Sequence, residues 1–293
     1  MSAPGRRSLQ LDVFAARPGC GNPLGVILDS DGLDSAAMQA LAAWLGLPET
    51  VFFVPAAEGA DYHVRIFTPD CELPFAGHPS VGAAWAAVAR GLASPRDGRL
   101  TQQCAAGLLP AQVRQVDGVL HARIRAPRAR ALPTAPHAQA LLDAAHRGWA
   151  LAAAPALWNN GPGWWLLELA DAQAVRRARP DFGAIAALAR ATASLGVALF
   201  AAEAADGHDL VVRAFCPADA PNAPEDPVTG SANACIAVWL HAQGRLPGIG
   251  GACVASQGRE VGRDGRVHLQ VDADGEVWIG GQVQGVVEGT LHW

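Results

Sequence analysis

Apolar and polar residues alternate over Leu9–Phe14 and again over Tyr62–Phe67, the period-two signature of strands with one buried face. Leu24–Leu28 and Val51–Val54 are short apolar runs and predict two more strands. Gly19, Gly21, Asn22 and Pro23 mark a turn between the first pair. Over Ser35–Leu45 the pattern becomes helical, with Asp34 placed to cap the start and Gly46 to stop the end. Pro79–Arg90 and Ser231–Gln243 also read as helices, but these are apolar on nearly every face. A helix apolar all round belongs inside a fold.

The two apolar helices sit in matching surroundings. Val64-Arg65-Ile66-Phe67-Thr68-Pro69 resembles Val212-Arg213-Ala214-Phe215-Cys216-Pro217, a spacing of 148 residues. Gly77-His78-Pro79-Ser80 and Gly230-Ser231-Ala232-Asn233 open the helices at a spacing of 153, and Gly91 and Gly244 close them at the same spacing. Gln103 and Gln257 follow at 154. The pattern predicts an α+β chain of two similar lobes, each a curved, barrel-like sheet around a central helix. The N-terminal lobe spans 1–125, completed by about 282–293, and the C-terminal lobe spans 126–281. Pro127–Pro155 connects them with one helix, and Trp158–Leu169 begins the second sheet beside the turn residues Asn159–Gly163. A chance likeness of two strand-helix units is the alternative; agreement at both helix ends weighs against it. A cleft between two lobes is a usual place for a small ligand.

Composition then removes whole classes of chemistry. The chain has 293 residues, 51% hydrophobic and 17% charged, with a net charge of −5. That is a folded composition with no basic patch for nucleic acid. All 22 basic residues are arginine, so neither a Schiff-base lysine for pyridoxal nor a P-loop lysine is available. The six cysteines form no C-x-x-C pair and have no histidine at zinc spacing, so they are expected as reduced, mostly buried thiols. No apolar run reaches the ~18 residues of a membrane span, and no signal-peptide pattern is present. The expectation is a cytoplasmic protein without metal or cofactor.

Candidate chemistry gathers at the helix starts. Orphan N–H groups and the helix dipole make an N-terminus attractive to a carboxylate. His78, Ser231 and Glu225-Asp226-Pro227 stand near these ends. Each also has a purely structural reading: His78 as a core histidine or cap, Asp226 as a turn acceptor, Ser231 as a cap. Glu49 follows Pro48 and precedes the apolar Val51-Phe52-Phe53. Lost solvation there favours the protonated carboxyl, which suits proton transfer. A glutamate in a surface turn is the plain alternative.

Several motifs together resemble one family. They are Leu11-Asp12-Val13-Phe14, Gly21-Asn22-Pro23, Leu47-Pro48-Glu49-Thr50, Phe75-Ala76-Gly77-His78-Pro79 and Glu225-Asp226-Pro227-Val228-Thr229-Gly230-Ser231-Ala232. In this order they are similar to the PhzF-like family of phenazine biosynthesis from about residue 9 to the end. The resemblance implies the diaminopimelate-epimerase fold and a homodimer. It implies a cofactor-free isomerase that moves a proton within a small carboxylate-bearing metabolite, a cyclic, dihydroanthranilate-like one in the phenazine member. It assigns proton transfer to Glu49 and substrate holding to His78, Asp226 and Ser231, with Gly77 and Gly230 presenting backbone N–H groups. Epimerases of this fold place two cysteines just before the helix glycines. Here those positions are Ala76 and Thr229, which disfavours a two-thiol racemase. A racemase or dehydratase using Glu49 with another base, or a non-catalytic small-anion binder, remains as an alternative.

Overall fold

The computed structural model describes residues 5–134, 136–218, 220 and 223–293. Two compact units emerge: residues up to Arg125 joined by Ile279–Trp293, and Ala126–Trp278.

In the first unit the chain runs β1 (Gly5–Val13), β2 (Asn22–Ile27), α1 (Ser35–Leu45), β3 (Glu49–Val54), β4 (Tyr62–Phe67), β5 (Glu72–Leu73), α2 (Gly77–Ala89), β6 (Arg99–Cys104), β7 (Gly107–Val116) and β8 (Val119–Arg125). Successive pairings are β1–β2 antiparallel, β2–β3 parallel, β3–β4 antiparallel, β4–β6 parallel, and β6–β7 and β7–β8 antiparallel. The parallel steps each need a crossover, and α1 and α2 supply them. Asp34 accepts from the Ala37 N–H, and Gly46 takes the left-handed conformation that ends α1.

The second unit continues with β9 (Arg130–Leu132), α3 (Gln139–Ala145), β10 (Ala156–Asn159), β11 (Gly163–Glu168), α4 (Ala172–Arg177), α5 (Phe182–Thr192), β12 (Gly196–Ala205), β13 (His208–Phe215), β14 (Glu225–Asp226), α6 (Gly230–Ala242), β15 (Ala252–Gln257), β16 (Gly265–Val271) and β17 (Val277–His292). From β10 to β16 the order of strand senses repeats that of the first unit: β10–β11 antiparallel, β11–β12 parallel, β12–β13 antiparallel, β13–β15 parallel, β15–β16 antiparallel. β17 leaves the second unit at Ile279, runs antiparallel to β1 and pairs with β8, closing the first barrel.

α2 contacts β1, β2, β3, β4, β6, β7 and β8, so it fills the first barrel. Its residues from Gly77 to Ala84 are all buried. Small residues allow this close approach: a Cβ on Gly82 would fall 2.4 Å from Leu24 Cδ2 and 3.0 Å from Val13 Cγ2. α6 is buried in the same way over Ala232–Leu240. On β11 the pleat sends consecutive side chains to opposite faces. Trp165 and Leu167 join Ile185 and Leu188 of α5 in one cluster, while Trp164 reaches α6.

The duplicated arginines have a duplicated task. Arg65 makes two parallel bonds to Glu72, and Arg213 makes the same two to Glu225. Each guanidinium also lies over the phenylalanine two residues on, 5.1 Å above Phe67 and 5.0 Å above Phe215. Both pairs pin a two-residue strand against its barrel just before the helix glycine, so Glu225 is structural. One correspondence shifts. Gln103 pairs with His63, whereas Gln257 pairs with Val212, which matches Val64. Gln103 is therefore the counterpart of Ser256, and the spacing of 154 joins two unrelated glutamines.

Candidate functional site

Glu49 is the first residue of β3, opposite Leu24 of β2. Its carboxyl is mostly buried, and Oε2 lies 3.3 Å from His78 Nε2. His78 is the second residue of α2 and is 5% exposed. Burial drives its pKa from the usual 6.5 down to about 3, against a smaller upward pull from a hydrogen bond to the Pro23 carbonyl. The contact would be a salt bridge only with a charged imidazole, and burial prevents that charge at neutral pH. The neutral ring donates an N–H to Pro23. Its Nε2, without hydrogen-bond alignment of its own, is the nitrogen near Glu49. A lone pair facing a carboxyl oxygen is complementary when the carboxyl carries the proton. Glu49 and His78, expected in separate roles, thus approach each other directly as two titratable groups.

In the second unit Asp226, Thr229, Gly230 and Ser231 lie at the start of α6. Neither Thr229 here nor Ala76 in α2 caps its helix through a side chain. Thr229 instead donates its hydroxyl proton to Asp226 Oδ2 at 2.6 Å. That polarity is set by Gln257, whose amide uses all four of its hydrogen-bonding positions. Oε1 accepts from the Thr229 N–H (3.0 Å) and from Asn233 Nδ2 (2.8 Å). Nε2 donates to Thr229 Oγ1 and to the Asp226 carbonyl, both at 2.9 Å. Ser231 does not act as a cap; its Oγ accepts from the Trp164 indole N–H at 3.0 Å, and Asn160 Nδ2 donates to its carbonyl at 3.1 Å.

Sequence reasoning assigned no site role to Gln257, Asn233, Trp164, Asn160 or Thr229. Gln257 carried a signal through the repeat, but read one position out of register. Four of the six thiols, Cys20, Cys104, Cys235 and Cys253, are buried, while Cys71 is exposed and Cys216 partly so. Among the described residues no three His, Cys, Asp or Glu side chains come together as metal ligands. Among the described residues no helix is long and apolar enough to cross a membrane.

A family model described as phenazine biosynthesis-like protein, PhzC-PhzF, matches residues 11–289. The chain belongs to that family. Among its relatives, the trans-2,3-dihydro-3-hydroxyanthranilate isomerase of Pseudomonas aeruginosa is 30% identical, covering 98% of this chain and 99% of its own. Antisense-enhancing sequence 1 of Schizosaccharomyces pombe is 31% identical over 96% of each chain. A solved structure described as a predicted epimerase from Pseudomonas aeruginosa is 32% identical, with a TM-score of 0.77 over 98% of this chain and 99% of the other. PhzC-PhzF membership makes this an enzyme of an isomerase family, and the α+β barrel fold is shared with the epimerase-type relative.

Proposed function

We propose that the protein is a cofactor-independent isomerase that shifts a proton within a small carboxylate-bearing metabolite, with Glu49 as the group that takes and returns the proton. The observation that carries this reading is the approach of Glu49 Oε2 to a buried, neutral His78 at 3.3 Å. Three groups could in principle move the proton. His78 stays neutral to about pH 3 and spends one N–H on Pro23. Asp226 accepts the Thr229 hydroxyl proton and suits orientation or electrostatic roles. Glu49 is left as the proton-carrying carboxyl, with the His78 Nε2 lone pair complementary to its protonated form. In the second unit the orphan N–H group at Gly230, with Ser231, suits a carboxylate, and in the first unit Gly77 offers the same kind of N–H group. The relative's name supplies the substrate class to try first, a dihydro-hydroxyanthranilate.

The test is turnover of trans-2,3-dihydro-3-hydroxyanthranilate, and of other cyclic carboxylates, in deuterated water, followed by mass spectrometry and NMR. The wild-type chain should incorporate up to one solvent deuteron per turnover, the fraction set by how far the Glu49 carboxyl exchanges with solvent before it returns the proton. Glu49→Gln keeps size and hydrogen bonding but cannot shuttle a proton, so its rate should fall by at least about 10²-fold, with the fold and carboxylate binding retained. A Glu49→Gln enzyme at near wild-type rate would refute the assignment. Racemisation without double-bond movement would instead support a racemase built on the same fold.

A further inference from the structure

Trp164 and Trp165 are consecutive, fully buried, and each spends its indole N–H on a hydroxyl. Because β11 is pleated they do so on opposite faces. Trp165 bonds Thr192 Oγ1 on α5, inside the helix-covered layer. Trp164 bonds Ser231 Oγ on α6, one residue past the glycine that opens the helix. An indole N–H can only donate. Ser231 Oγ must therefore accept, and its own proton is turned elsewhere.

This matters because a serine hydroxyl near a helix start has competing choices. It can accept from a first-turn N–H as a cap, or donate back to a carbonyl of the preceding turn. An anion needs neither; it needs a hydroxyl that donates outward. Ser231 is the second residue of α6, past the capping position held by Thr229, and accepting from Trp164 at 3.0 Å turns its hydroxyl proton away from the indole. Asn160, itself only 1% exposed, adds a second restraint by holding the Ser231 carbonyl at 3.1 Å, so the residue's backbone is fixed to the same β10–β11 turn. Ser231 is partly accessible, unlike its neighbours Gly230 and Ala232.

We infer that Trp164 is a positioning residue that sets the polarity of Ser231, making its hydroxyl a donor to a ligand carboxylate. The inference rests on the reading of Ser231 as a carboxylate-holding group.

The probe is anthranilate, an aromatic carboxylate related to the relative's substrate, titrated by calorimetry against four full-length variants: Trp164→Phe, Ser231→Ala, the double variant, and Trp165→Phe. A net hydrogen-bond contribution predicts about three- to tenfold weaker binding for Trp164→Phe. A bond to a charged group predicts about tenfold or more for Ser231→Ala. The double variant should bind like Ser231→Ala alone, because Trp164 acts only through that hydroxyl. Trp165→Phe removes the same N–H from an equally buried ring on the other face and should bind as wild type. Equal losses in Trp164→Phe and Trp165→Phe would show a general packing effect and overturn the proposal, as would additive losses in the double variant. If Ser231→Ala binds normally, the carboxylate-holding role of Ser231 fails first. If Ser231→Ala weakens binding and Trp164→Phe does not, only the role of Trp164 fails. Should Trp164→Phe not fold, Trp164→His, which can retain a ring N–H donor, must restore folding and at least part of the binding for the proposal to stand.

Discussion

The neutrality of His78 predicts a definite sign for the pH dependence of stability. The folded chain holds this ring at a pKa of about 3, while the unfolded chain returns it to the ordinary 6.5. Between those values the unfolded state binds the extra proton, so stability rises with pH across the window and falls as the solution is acidified. Above pH 6.5 both states are neutral and the group contributes no slope. At pH 5 the unfolded ring is almost fully protonated and the folded ring is not. The 1.5 units between 6.5 and 5 correspond to about 2 kcal/mol lost relative to pH 8, at ~1.36 kcal/mol per unit. The charged groups around the ring decide whether this sign holds, and Glu49 lies in contact at 3.3 Å. If the pair were ionic in the folded state, the ring's pKa would lie above 6.5 and acidification would stabilise the fold. The assay is urea unfolding of wild type and His78→Asn at pH 5, 6, 7 and 8. Asparagine has a donor that can reach Pro23 but does not titrate, and subtracting its profile removes the other histidines and carboxylates. Wild type should lose about 2 kcal/mol more than the variant between pH 8 and 5. Parallel profiles, or a wild type that gains on the variant in acid, would refute the neutral-pair reading.

Two further outcomes test the scaffold. Gln257→Met strands the buried Thr229 N–H and leaves the Asn233 amide with only its bond to the Thr229 carbonyl, and should cost about 1–3 kcal/mol in urea unfolding. It should also weaken carboxylate binding, because the Asp226 carbonyl and the Thr229 hydroxyl oxygen lose the amide that holds them at the start of α6. Gly82→Ala drives a methyl into Leu24 and Val13 and should cost about 1–3 kcal/mol despite alanine's better helix propensity, checked by the same unfolding assay.

What could be read from the sequence was local or duplicated. α1 was legible to the residue because its cap, its period and its glycine stop all lie within a few positions of one another. α2 and α6 were legible as buried helices because small apolar residues cover every face. Their starts fell two residues and one residue earlier than the apolar pattern suggested, since the opening glycines themselves are helical. Glu49 looked like a turn residue before a strand that began at Val51; the parallel pairing of Leu24 with Glu49 extends β3 backwards, and no local pattern encodes a partner across a crossover. α4 and α5 went unread because neither closes on a glycine: α4 is only six residues long and ends at Ala178, and α5 ends on a left-handed Ala193, so their aspartate caps, Asp171 and Asp181, are the one terminal signal each carries. The glutamine repeat misled by one position, and in a strand one position exchanges the buried face for the other. Trp164 had no chemical signature at all, for its partner lies 67 residues away.

The duplication explains why two such different residues as His78 and Ser231 follow the helix glycines. In each unit the opening hairpin supplies a group that fixes where the proton sits on that residue. In the first, the Pro23 carbonyl at the start of β2 takes the ring N–H of His78, leaving a nitrogen lone pair near Glu49. In the second, Trp164 at the start of β11 gives its N–H to Ser231, leaving a hydroxyl proton to donate. An acceptor in one hairpin and a donor in the other produce opposite polarities from equivalent positions on the same strand order. The first polarity suits a partner that must gain and lose a proton, and the second suits a permanent anion. Exchanging the residues alone would not exchange the roles. A serine at position 78 would find the Pro23 carbonyl and spend its proton there. A histidine at position 231 would meet the donor of Trp164 and turn its own N–H away from it. The polarity belongs to the hairpin as much as to the residue, so His78→Ser should fail to donate to a carboxylate while Ser231 continues to do so.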